Sequence, residues 1–210
     1  MAALISFAAV LGYFALLFGI RFYRIPFLRG RHLQLTENDV LSPADGNVIY
    51  IKRIESGQVP CAVKNAREAT LHEVMQTEMM EGPCWMIGIN MTPFDVHRNA
   101  APLAGEIVLN HHVNGEFVSL KDENALGRNE RNTIVINHDG ALVGVVQTAS
   151  RLVRRIDTYK KEGDTVRRGE WFGMIRFGSQ VDVIIPASWQ VSVELGQQIY
   201  CKETLIAKIQ

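Results

Sequence analysis

The sequence has few of the residues that mark several common protein classes. Its 210 residues include only three cysteines, Cys61, Cys84 and Cys201, at wide spacings, and no CxxC or HExxH pattern. These spacings predict buried, reduced thiols and no metal site. No basic stripe runs through the chain, so a nucleic-acid partner is not expected. No helical pattern alternates with the strand-like runs, which argues against a parallel βαβ sheet.

Charge is absent from the N-terminal segment and nearly balanced elsewhere. The chain has 22 Lys plus Arg and 22 Asp plus Glu, a net charge of zero. Four of the basic residues precede Glu37, the first acidic one, so the body after them has 18 basic and 22 acidic residues, a net −4. These four form an arginine collar: Arg21, Arg24, Arg29 and Arg31.

Residues 2–20 carry no charged side chain and predict a membrane helix, so residues 1–31 are assigned to a hydrophobic membrane segment with its arginine collar. Nineteen helical residues span roughly 28 Å, close to the hydrocarbon thickness of a bilayer. The positive charges follow the apolar run, which favours a retained anchor over a cleaved signal peptide. The positive-inside rule then predicts a body on the cytoplasmic face of the cell membrane. A helix lying in the interface is the alternative.

Residues 32–210 predict one mainly β domain. Turn signals such as Ser56-Gly57 and Asp139-Gly140 recur about every 8 to 15 residues and separate short runs rich in Val and Ile. The four residues 137–140, Asn-His-Asp-Gly, lie between two apolar runs and predict a hairpin. Only residues 66–81 have a helical pattern. An all-β sandwich or partly closed barrel is therefore expected.

Residues 161–175 contain the spacing G-D-x-V-x-x-G-x-x-x-G-x-I, with glycines at Gly163, Gly169 and Gly173. This spacing resembles the tight turns of biotinyl/lipoyl-type domains, where glycines supply the positive φ that sharp corners require. Those domains carry their cofactor on a lysine at a hairpin tip, and this sequence has no such lysine motif. The resemblance is therefore to the scaffold, and it implies a domain of barrel-sandwich type.

Three polar residues stand in contexts that suit catalysis. Ser179 follows Gly178 between two apolar runs, and a serine hydroxyl can attack the preceding glycyl carbonyl when a base is near. A β-bulge or tight turn is the alternative there. His97 lies between two prolines that would hold it rigid, although a merely solvated histidine would also fit. Asp45, within Ser-Pro-Ala-Asp-Gly at 42–46, is by default a turn former.

Together these features resemble phosphatidylserine decarboxylase proenzymes, in particular the short bacterial and archaeal type. Five segments match in order and extend from residue 42 to about residue 186. They are Ser-Pro-Ala-Asp-Gly at 42–46, Phe-Asp-Val-His at 94–97 with Ala-Pro at 101–102, Arg-Asn-Glu-Arg at 128–131, the glycine series at 163–173, and Ile-Arg-Phe-Gly-Ser at 175–179 with Val-Asp at 181–182.

The resemblance implies a self-processing, pyruvoyl-dependent decarboxylase. Ser179 would attack the Gly178 carbonyl, and elimination of the resulting ester would leave a pyruvoyl group, made from Ser179, at the start of residues 179–210. Its ketone would form a Schiff base with phosphatidylserine, which would lose CO₂ and become phosphatidylethanolamine. Fragments 1–178 and 179–210 would remain together as a non-covalent heterodimer. A homodimer is implied only as a further option.

Roles for individual residues follow from the same resemblance. Asp45 would act with histidine and serine in self-cleavage, and His97 matches a histidine linked to decarboxylation. The second histidine of the longer enzymes' motif is Ala100 here. Either His97 serves both stages, or His138 or another group supplies the base. The arginines expected to meet the lipid phosphate are Arg98, Arg128, Arg131 and Arg176.

Four alternatives stay open from the sequence alone. The same chemistry would suit archaetidylserine, because diacyl and isoprenoid lipids present the same phosphoserine head; a soluble amino acid is a further substrate for pyruvoyl enzymes. A membrane-anchored adaptor with a biotinyl/lipoyl-like module would explain the hydrophobic segment and the glycine turns. It predicts a long coiled-coil insertion that this sequence lacks. An inactive relative is the last option, given Ala100.

Overall fold

The computed structural model describes residues 2–24, 26, 29–30, 33–55, 58–59, 69–75, 77–80, 82–115, 129–149, 155–176 and 179–210. Within these residues the chain forms two helices, α1 (Ala2–Tyr23) and α2 (Leu71–Met75). The strands are β1 (Asp39–Leu41), β2 (Gly46–Ile54), β3 (Gln58–Val59), β4 (Ala69–Thr70), β5 (Cys84–Met91), β6 (Arg98–Ala100), β7 (Gly105–Val113), β8 (Arg131–His138), β9 (Ala141–Ala149), β10 (Ile156–Thr158), β11 (Thr165–Val166), β12 (Trp171–Ile175), β13 (Ser179–Pro186), β14 (Gln190–Val191), β15 (Gln198–Ile199) and β16 (Leu205–Lys208).

The largest sheet of the described residues has eight antiparallel strands in the order β11-β7-β8-β9-β13-β5-β2-β15. Strands β8 and β9 form its central hairpin, and their register ends at His138 opposite Ala141. The two turn residues, Asp139 and Gly140, have φ of 49° and 91°. Both are left-handed, as the two-residue turn that matches strand twist requires. The predicted hairpin and the mainly β class are confirmed.

Successive side chains along each strand point to opposite faces of this sheet, and both faces are buried. On one face Ile87, Val145 and Val183 belong to a core that includes the three-stranded sheet β1-β16-β14. On the other face Met86 and Ile184 pack in a smaller core with α2. The middle strands therefore read as nearly continuous runs of Val and Ile, because they are covered on both sides.

Three neighbouring strands of the large sheet connect to a smaller sheet at one corner. Strands β9, β13 and β5 are adjacent in the large sheet, and β10, β12 and β6 are adjacent in the same order in the small one. The chain joins β9 to β10, β12 to β13, and β5 to β6. The ends of β9, β13 and β5 that lead to the small sheet therefore lie side by side at this corner, and the middle strand begins at Ser179.

The glycine series behaves as predicted at two of its three positions. Gly163 and Gly169 have φ of 87° and 74°. Gly173 is required for a different reason: a Cβ there would lie 2.8 Å from the Asp157 carbonyl oxygen on the paired strand β10. The mainly β scaffold is thus established, whereas its assignment to the biotinyl/lipoyl barrel-sandwich type stays a prediction.

The helix predicted over residues 66–81 is much shorter in the structure. Residues Ala69–Thr70 form strand β4, and the described helix covers only Leu71–Met75. The prediction is therefore wrong at residues 69–70, where pairing with β3 overrides the local pattern, and at residues 77–80, which are not helical. Residues 66–68, 76 and 81 lie outside the described residues.

The two described cysteines, Cys84 and Cys201, are buried and free, as expected. Burial raises the pKa of Cys84 to about 11 and also raises the pKa of Cys201. Both thiols are therefore protonated and unreactive at neutral pH. Cys61 lies outside the described residues.

The apolar N-terminal segment is helical, as predicted, over Ala2–Tyr23. Many of its large apolar side chains are exposed, including Phe7, Phe14, Leu16 and Ile20 at 61–65%. Among the described residues, no helix combines the length and the apolar character needed to cross a membrane. The membrane role of residues 1–31, and the boundary at residue 31, stay predictions.

Candidate active site

Ser179 is the first residue of β13 and lies where three strands end together. It pairs with Met91, the last residue of β5, and with Ala149, the last residue of β9. The register then continues to Pro186 on the β5 side and to Ile184 on the β9 side. The backbone at Ser179 is thus held from both sides. Gly178, the other half of the predicted cleavage site, lies outside the described residues.

The loop between β5 and β6 brings His97 to the same corner. The His97 carbonyl accepts a hydrogen bond from the Ile175 amide at 3.0 Å, so His97 lies beside the end of β12. Asp95 caps the turn before it, because its carboxylate accepts hydrogen bonds from the amide and hydroxyl of Thr92, each at 2.7 Å. His97 therefore lies beside β12, the strand that precedes Ser179 in the chain.

The imidazole of His97 is buried and suited to act as a base. Its Nδ1 lies 3.0 Å from the Asp95 carbonyl oxygen. That oxygen can only accept, so in the neutral ring the proton lies on Nδ1 and the basic lone pair on Nε2. Burial lowers the pKa of His97, and this outweighs the opposing hydrogen bond and charge of Asp95 and the charge of Asp45. His97 is therefore neutral at pH 7.

Asp45 is 1% exposed, which is unlike an ordinary turn aspartate. Its Oδ2 accepts a hydrogen bond from the Val96 amide at 3.1 Å. Its Oδ1 accepts one from the Cys201 amide at 2.8 Å and one from the guanidinium of Arg29. Among the described contacts, Asp45 thus reaches the histidine loop through the backbone next to His97 rather than through the ring.

The Ser-Pro-Ala-Asp-Gly segment at 42–46 is a buried junction. The Pro43 carbonyl oxygen accepts hydrogen bonds from the Ala100 amide at 3.0 Å, the Asn99 side chain at 3.3 Å and the Cys201 thiol at 3.2 Å. Gly46 has a φ of 146°, and a Cβ there would lie 2.4 Å from the Asn90 carbonyl oxygen. This position therefore requires glycine.

A chain of buried amide side chains extends from this junction into the large sheet. The Gln147 amide nitrogen donates to Asn99 Oδ1 at 2.8 Å, and that of Asn132 donates to Gln147 Oε1 at 3.3 Å. In the register Gln147 faces Val181, two residues after Ser179. These residues could not be predicted from the sequence, because their contacts join distant parts of the chain.

Glu130 is a second functional candidate that the sequence analysis passed over. Its backbone carbonyl accepts a hydrogen bond from the Ala149 amide at 2.9 Å, directly beside the strand end that holds Ser179. Its carboxylate accepts one from the Ile156 amide at 3.1 Å and lies 3.2 Å from His112 Nε2. Four consecutive polar residues, 129–132, precede the apolar run of β8 and are all buried. This run of polar residues directly before an apolar strand is the sequence feature that could have identified Glu130.

Asp182 forms a third polar cluster that the sequence analysis did not single out. The Tyr50 hydroxyl donates to Asp182 Oδ1, and the Gln180 amide nitrogen donates to the same oxygen at 2.9 Å. All three side chains are buried. Burial raises the pKa of Asp182 to about 6, although the hydrogen bonds from Tyr50 and Gln180 oppose the shift.

Two of the four predicted phosphate-binding arginines lie on the small sheet or beside it. Arg98 donates to the Tyr159 hydroxyl at 3.3 Å and lies over the Tyr159 ring. Arg176 donates to the Asp157 carboxylate at 2.7 Å. Arg131 is only 3% exposed at the start of β8. Arg128 lies outside the described residues.

His138 is too far from Ser179 to serve as the base for self-cleavage. It ends β8, where its Nδ1 lies 2.8 Å from the Ala104 carbonyl oxygen. His138 is opposite Ala141, whereas Ser179 is opposite Ala149 on the same strand β9. Eight residues of strand separate the two by about 26 Å at roughly 3.3 Å per residue. The alternative that named His138 is therefore wrong.

Comparison with known proteins shows which proteins this chain is similar to. A family model described as phosphatidylserine decarboxylase matches residues 16–207. A protein of Methanocaldococcus jannaschii, provisionally named archaetidylserine decarboxylase proenzyme, is 40% identical over 91% of this chain and 90% of its own length. The phosphatidylserine decarboxylase proenzyme of Geotalea uraniireducens is 36% identical over 97% of this chain and 86% of its own length.

Proposed function

The chain belongs to the phosphatidylserine decarboxylase family, and we propose that it cleaves itself before Ser179 and decarboxylates the serine head of a phospholipid. The observation that carries the proposal is the position of Ser179 between the ends of β5 and β9, with His97 beside the end of β12, the strand that precedes Ser179 in the chain. A pyruvoyl group at residue 179 supplies the carbonyl that binds the substrate amine and takes up the electrons released with CO₂.

Self-cleavage uses only this chain and water. Ser179 Oγ attacks the Gly178 carbonyl carbon and loses its proton to a base, and the peptide C–N bond breaks as an ester forms. Removal of the Cα proton of residue 179 then eliminates the Gly178 carboxylate and leaves dehydroalanine. Water converts dehydroalanine into the ketone and releases ammonia. The neutral imidazole of His97, with its basic Nε2, is the base we assign.

The surroundings of Ser179 suit a pyruvoyl group. Its two register neighbours, Met91 and Ala149, are apolar and only 3% and 2% exposed. An apolar, water-poor setting protects a reactive ketone and strengthens polar interactions with the substrate. Strand pairing on both sides of Ser179 would keep the new chain end in place after the cut.

The two cleavage products would remain bound to each other as a non-covalent heterodimer. Residues 179–210 contribute β13 between β9 and β5, and β16 between β1 and β14. They also contribute β15, which pairs with β2. Most of the partners of these strands come from residues 1–178, so separating the pieces would break pairing in two sheets. A homodimer of this unit stays a prediction.

Arg98 is the arginine that we favour as the ligand for the lipid phosphate. Its described hydrogen bond is to a neutral hydroxyl, that of Tyr159, so its charge is not offset by a carboxylate in that contact. Arg176, in contrast, already pairs with Asp157. A guanidinium that is free to form two parallel hydrogen bonds suits a phosphate group.

Helix α1 would hold the body at the membrane. Its exposed apolar side chains, including Phe14 and Leu16, would bury their surface in lipid at about 25 cal/mol per Å². Arg24 follows the helix, and its NH1 donates to the Phe94 carbonyl at 3.4 Å, in the loop that carries His97. This contact would keep the site near the lipid headgroups. We assign the body to the cytoplasmic face, where arginines after an apolar segment are retained.

The decarboxylation step can be tested with lipids labelled at the serine carboxyl group. Vesicles containing phosphatidylserine should release labelled CO₂ with the native chain and none with Ser179→Ala. Vesicles containing archaetidylserine form the second arm, since the relatives' names include both lipids. Release from archaetidylserine alone would replace the proposed substrate. Release from neither lipid would favour the inactive relative.

A further inference from the structure

We propose that Arg29 is a positioning residue that holds Asp45 in place for self-cleavage and links the N-terminal segment to the turn at residues 200–203. The inference rests on the proposed function, because Asp45 matters for cleavage only if the chain cleaves itself. Arg29 comes six residues after the end of α1, in the arginine collar of the predicted membrane segment.

The guanidinium of Arg29 is enclosed by protein groups. It donates from NH1 to Asp45 Oδ1, and its Nε lies 3.8 Å from Glu203 Oε2. Its central carbon lies 5.5 Å from the centre of the Tyr200 ring, within range for a cation–π contact. The Arg29 side chain is only 14% exposed. Two of its three partners belong to residues 179–210, so the contact would join the two cleavage products.

Asp45 needs such a cation because its carboxylate is almost completely buried. Its other two described hydrogen bonds come from neutral backbone amides, those of Val96 and Cys201. A buried carboxylate without a counterion is strongly destabilising, and two amide dipoles only partly replace one. Arg29 supplies the missing positive charge in direct contact.

Arg29 remains charged in this setting. Burial lowers the pKa of its guanidinium, but the hydrogen bond to Asp45 and the charges of Asp45 and Glu203 outweigh burial, so the net shift is upward. The guanidinium is therefore charged at any pH at which the protein is folded.

The backbone around Arg29 is shaped to make this contact. Gly30 has a φ of 76°, and a Cβ there would lie 2.6 Å from the Lys202 carbonyl oxygen. The segment therefore packs directly on the turn that carries Tyr200 and Glu203. The same turn is held to the Ser-Pro-Ala-Asp-Gly junction, because the Lys202 amide donates to the Ser42 carbonyl at 3.0 Å.

The link from Arg29 to the cleavage chemistry is short. The Asp45 carboxylate bonds the Val96 amide, and Val96 directly precedes His97. Loss of the Arg29 charge would leave the buried Asp45 carboxylate without its cation, and the carboxylate would move toward other donors or water. That movement loosens the backbone before His97. Among the described groups, Arg29 contacts Asp45, Glu203 and Tyr200, and Asp45 is the one bonded to the backbone beside His97. Arg29 therefore acts through Asp45.

The first experiment measures the rate of self-cleavage in the full chain, from the appearance of the 179–210 piece by mass spectrometry. Arg29→Gln should slow cleavage by roughly tenfold or more, since a buried carboxylate loses its partner. Arg29→Lys keeps the charge and should restore part of the rate. The matched control is Arg53→Gln, which removes an arginine that is 52% exposed and paired with Glu55.

The second experiment measures coupling between Arg29 and Asp45 in the uncleavable Ser179→Ala chain, by urea unfolding of Arg29→Gln, Asp45→Asn and the double variant. Arg29→Gln should lower the folding equilibrium constant by about tenfold or more when Asp45 is present, and by less than about threefold when residue 45 is Asn. The exposed pair Arg53 and Glu55 should show no comparable coupling.

Each outcome decides the proposal. Slower cleavage together with coupling supports it. Cleavage of Arg29→Gln at the native rate overturns the positioning role, and slower cleavage without coupling overturns the route through Asp45. If Arg29→Gln does not fold, the Arg29→Lys chain decides instead. A folded Arg29→Lys chain that cleaves faster than Asp45→Asn supports the need for a positive charge at position 29. A folded Arg29→Lys chain that cleaves no faster than Asp45→Asn contradicts the proposal. Failure of the native chain to cleave would reject the proposed function instead, and the coupling would still be measured.

Discussion

Replacing Asp182 with asparagine should remove a large pH dependence from the stability of this protein. Asp182 is buried in β13, three residues after Ser179, with Tyr50 and Gln180 as hydrogen-bond donors. Burial raises the pKa of its carboxyl group from 3.8 to about 6 in the folded chain. The folded protein therefore holds this proton more tightly than the unfolded chain does.

The size and sign of the effect follow from this shift. A raised folded pKa contributes stability that is complete below the unfolded value near 3.8 and is lost as the pH rises through about 6. About two pKa units correspond to roughly 3 kcal/mol at about 1.4 kcal/mol per unit. Asp182→Asn stays neutral at every pH, so the variant should gain about 3 kcal/mol relative to the native residue between pH 4 and pH 8.

The assay is urea unfolding of the Ser179→Ala chain with Asp or Asn at position 182, compared across that pH range. Other groups titrate in both chains and cancel in the difference. The hydrogen bond from Tyr50 lowers the pKa of Asp182. Tyr50→Phe should therefore move the midpoint of this pH dependence above about pH 6. A free-energy difference that does not change with pH, or that changes in the opposite direction, would refute the reasoning.

Three further predictions concern close packing, the base and the membrane. Gly88→Ala should destabilise the fold by about 1–3 kcal/mol in urea unfolding, because a Cβ there would lie 2.3 Å from the Tyr50 ring, whereas Gly12→Ala has nothing within 4 Å and is the control. His97→Gln should slow cleavage by about 100-fold or more with an unchanged unfolding midpoint, and native-rate cleavage would remove His97 as the base. Leu16→Glu should weaken flotation with vesicles, and equal flotation would argue against α1 as the anchor.

Local sequence patterns were enough to predict the mainly β class, the hairpin of β8 and β9 and two of the glycine turns. The Asn-His-Asp-Gly turn lies at the end of the hairpin that they indicated, because residues 139 and 140 can adopt left-handed backbone. The positive φ of Gly163 and Gly169 followed from their spacing in the same way. The order of strands did not follow, since pairing β13 between β9 and β5 depends on contacts between distant parts of the chain.

The candidate site was only partly visible in the sequence for the same reason. Motifs identified Ser179, His97 and Asp45, but the partners of Asp45 include Arg29 and Cys201, which lie 16 and 156 residues away. Nothing in the local sequence connects these positions. His138 remained a candidate because the sequence gives no distance between His138 and Ser179. The strand register supplies that distance and excludes His138.

The intact mass of the native chain, measured beside that of Ser179→Ala, tests the central claim most directly. The account predicts two native pieces, residues 1–178 and 179–210, the smaller of about 3.5 kDa at roughly 110 Da per residue and blocked to N-terminal sequencing. The Ser179→Ala chain should stay whole at 23.6 kDa. A native chain that is folded and still uncut would contradict self-cleavage at Ser179 and the cofactor derived from it.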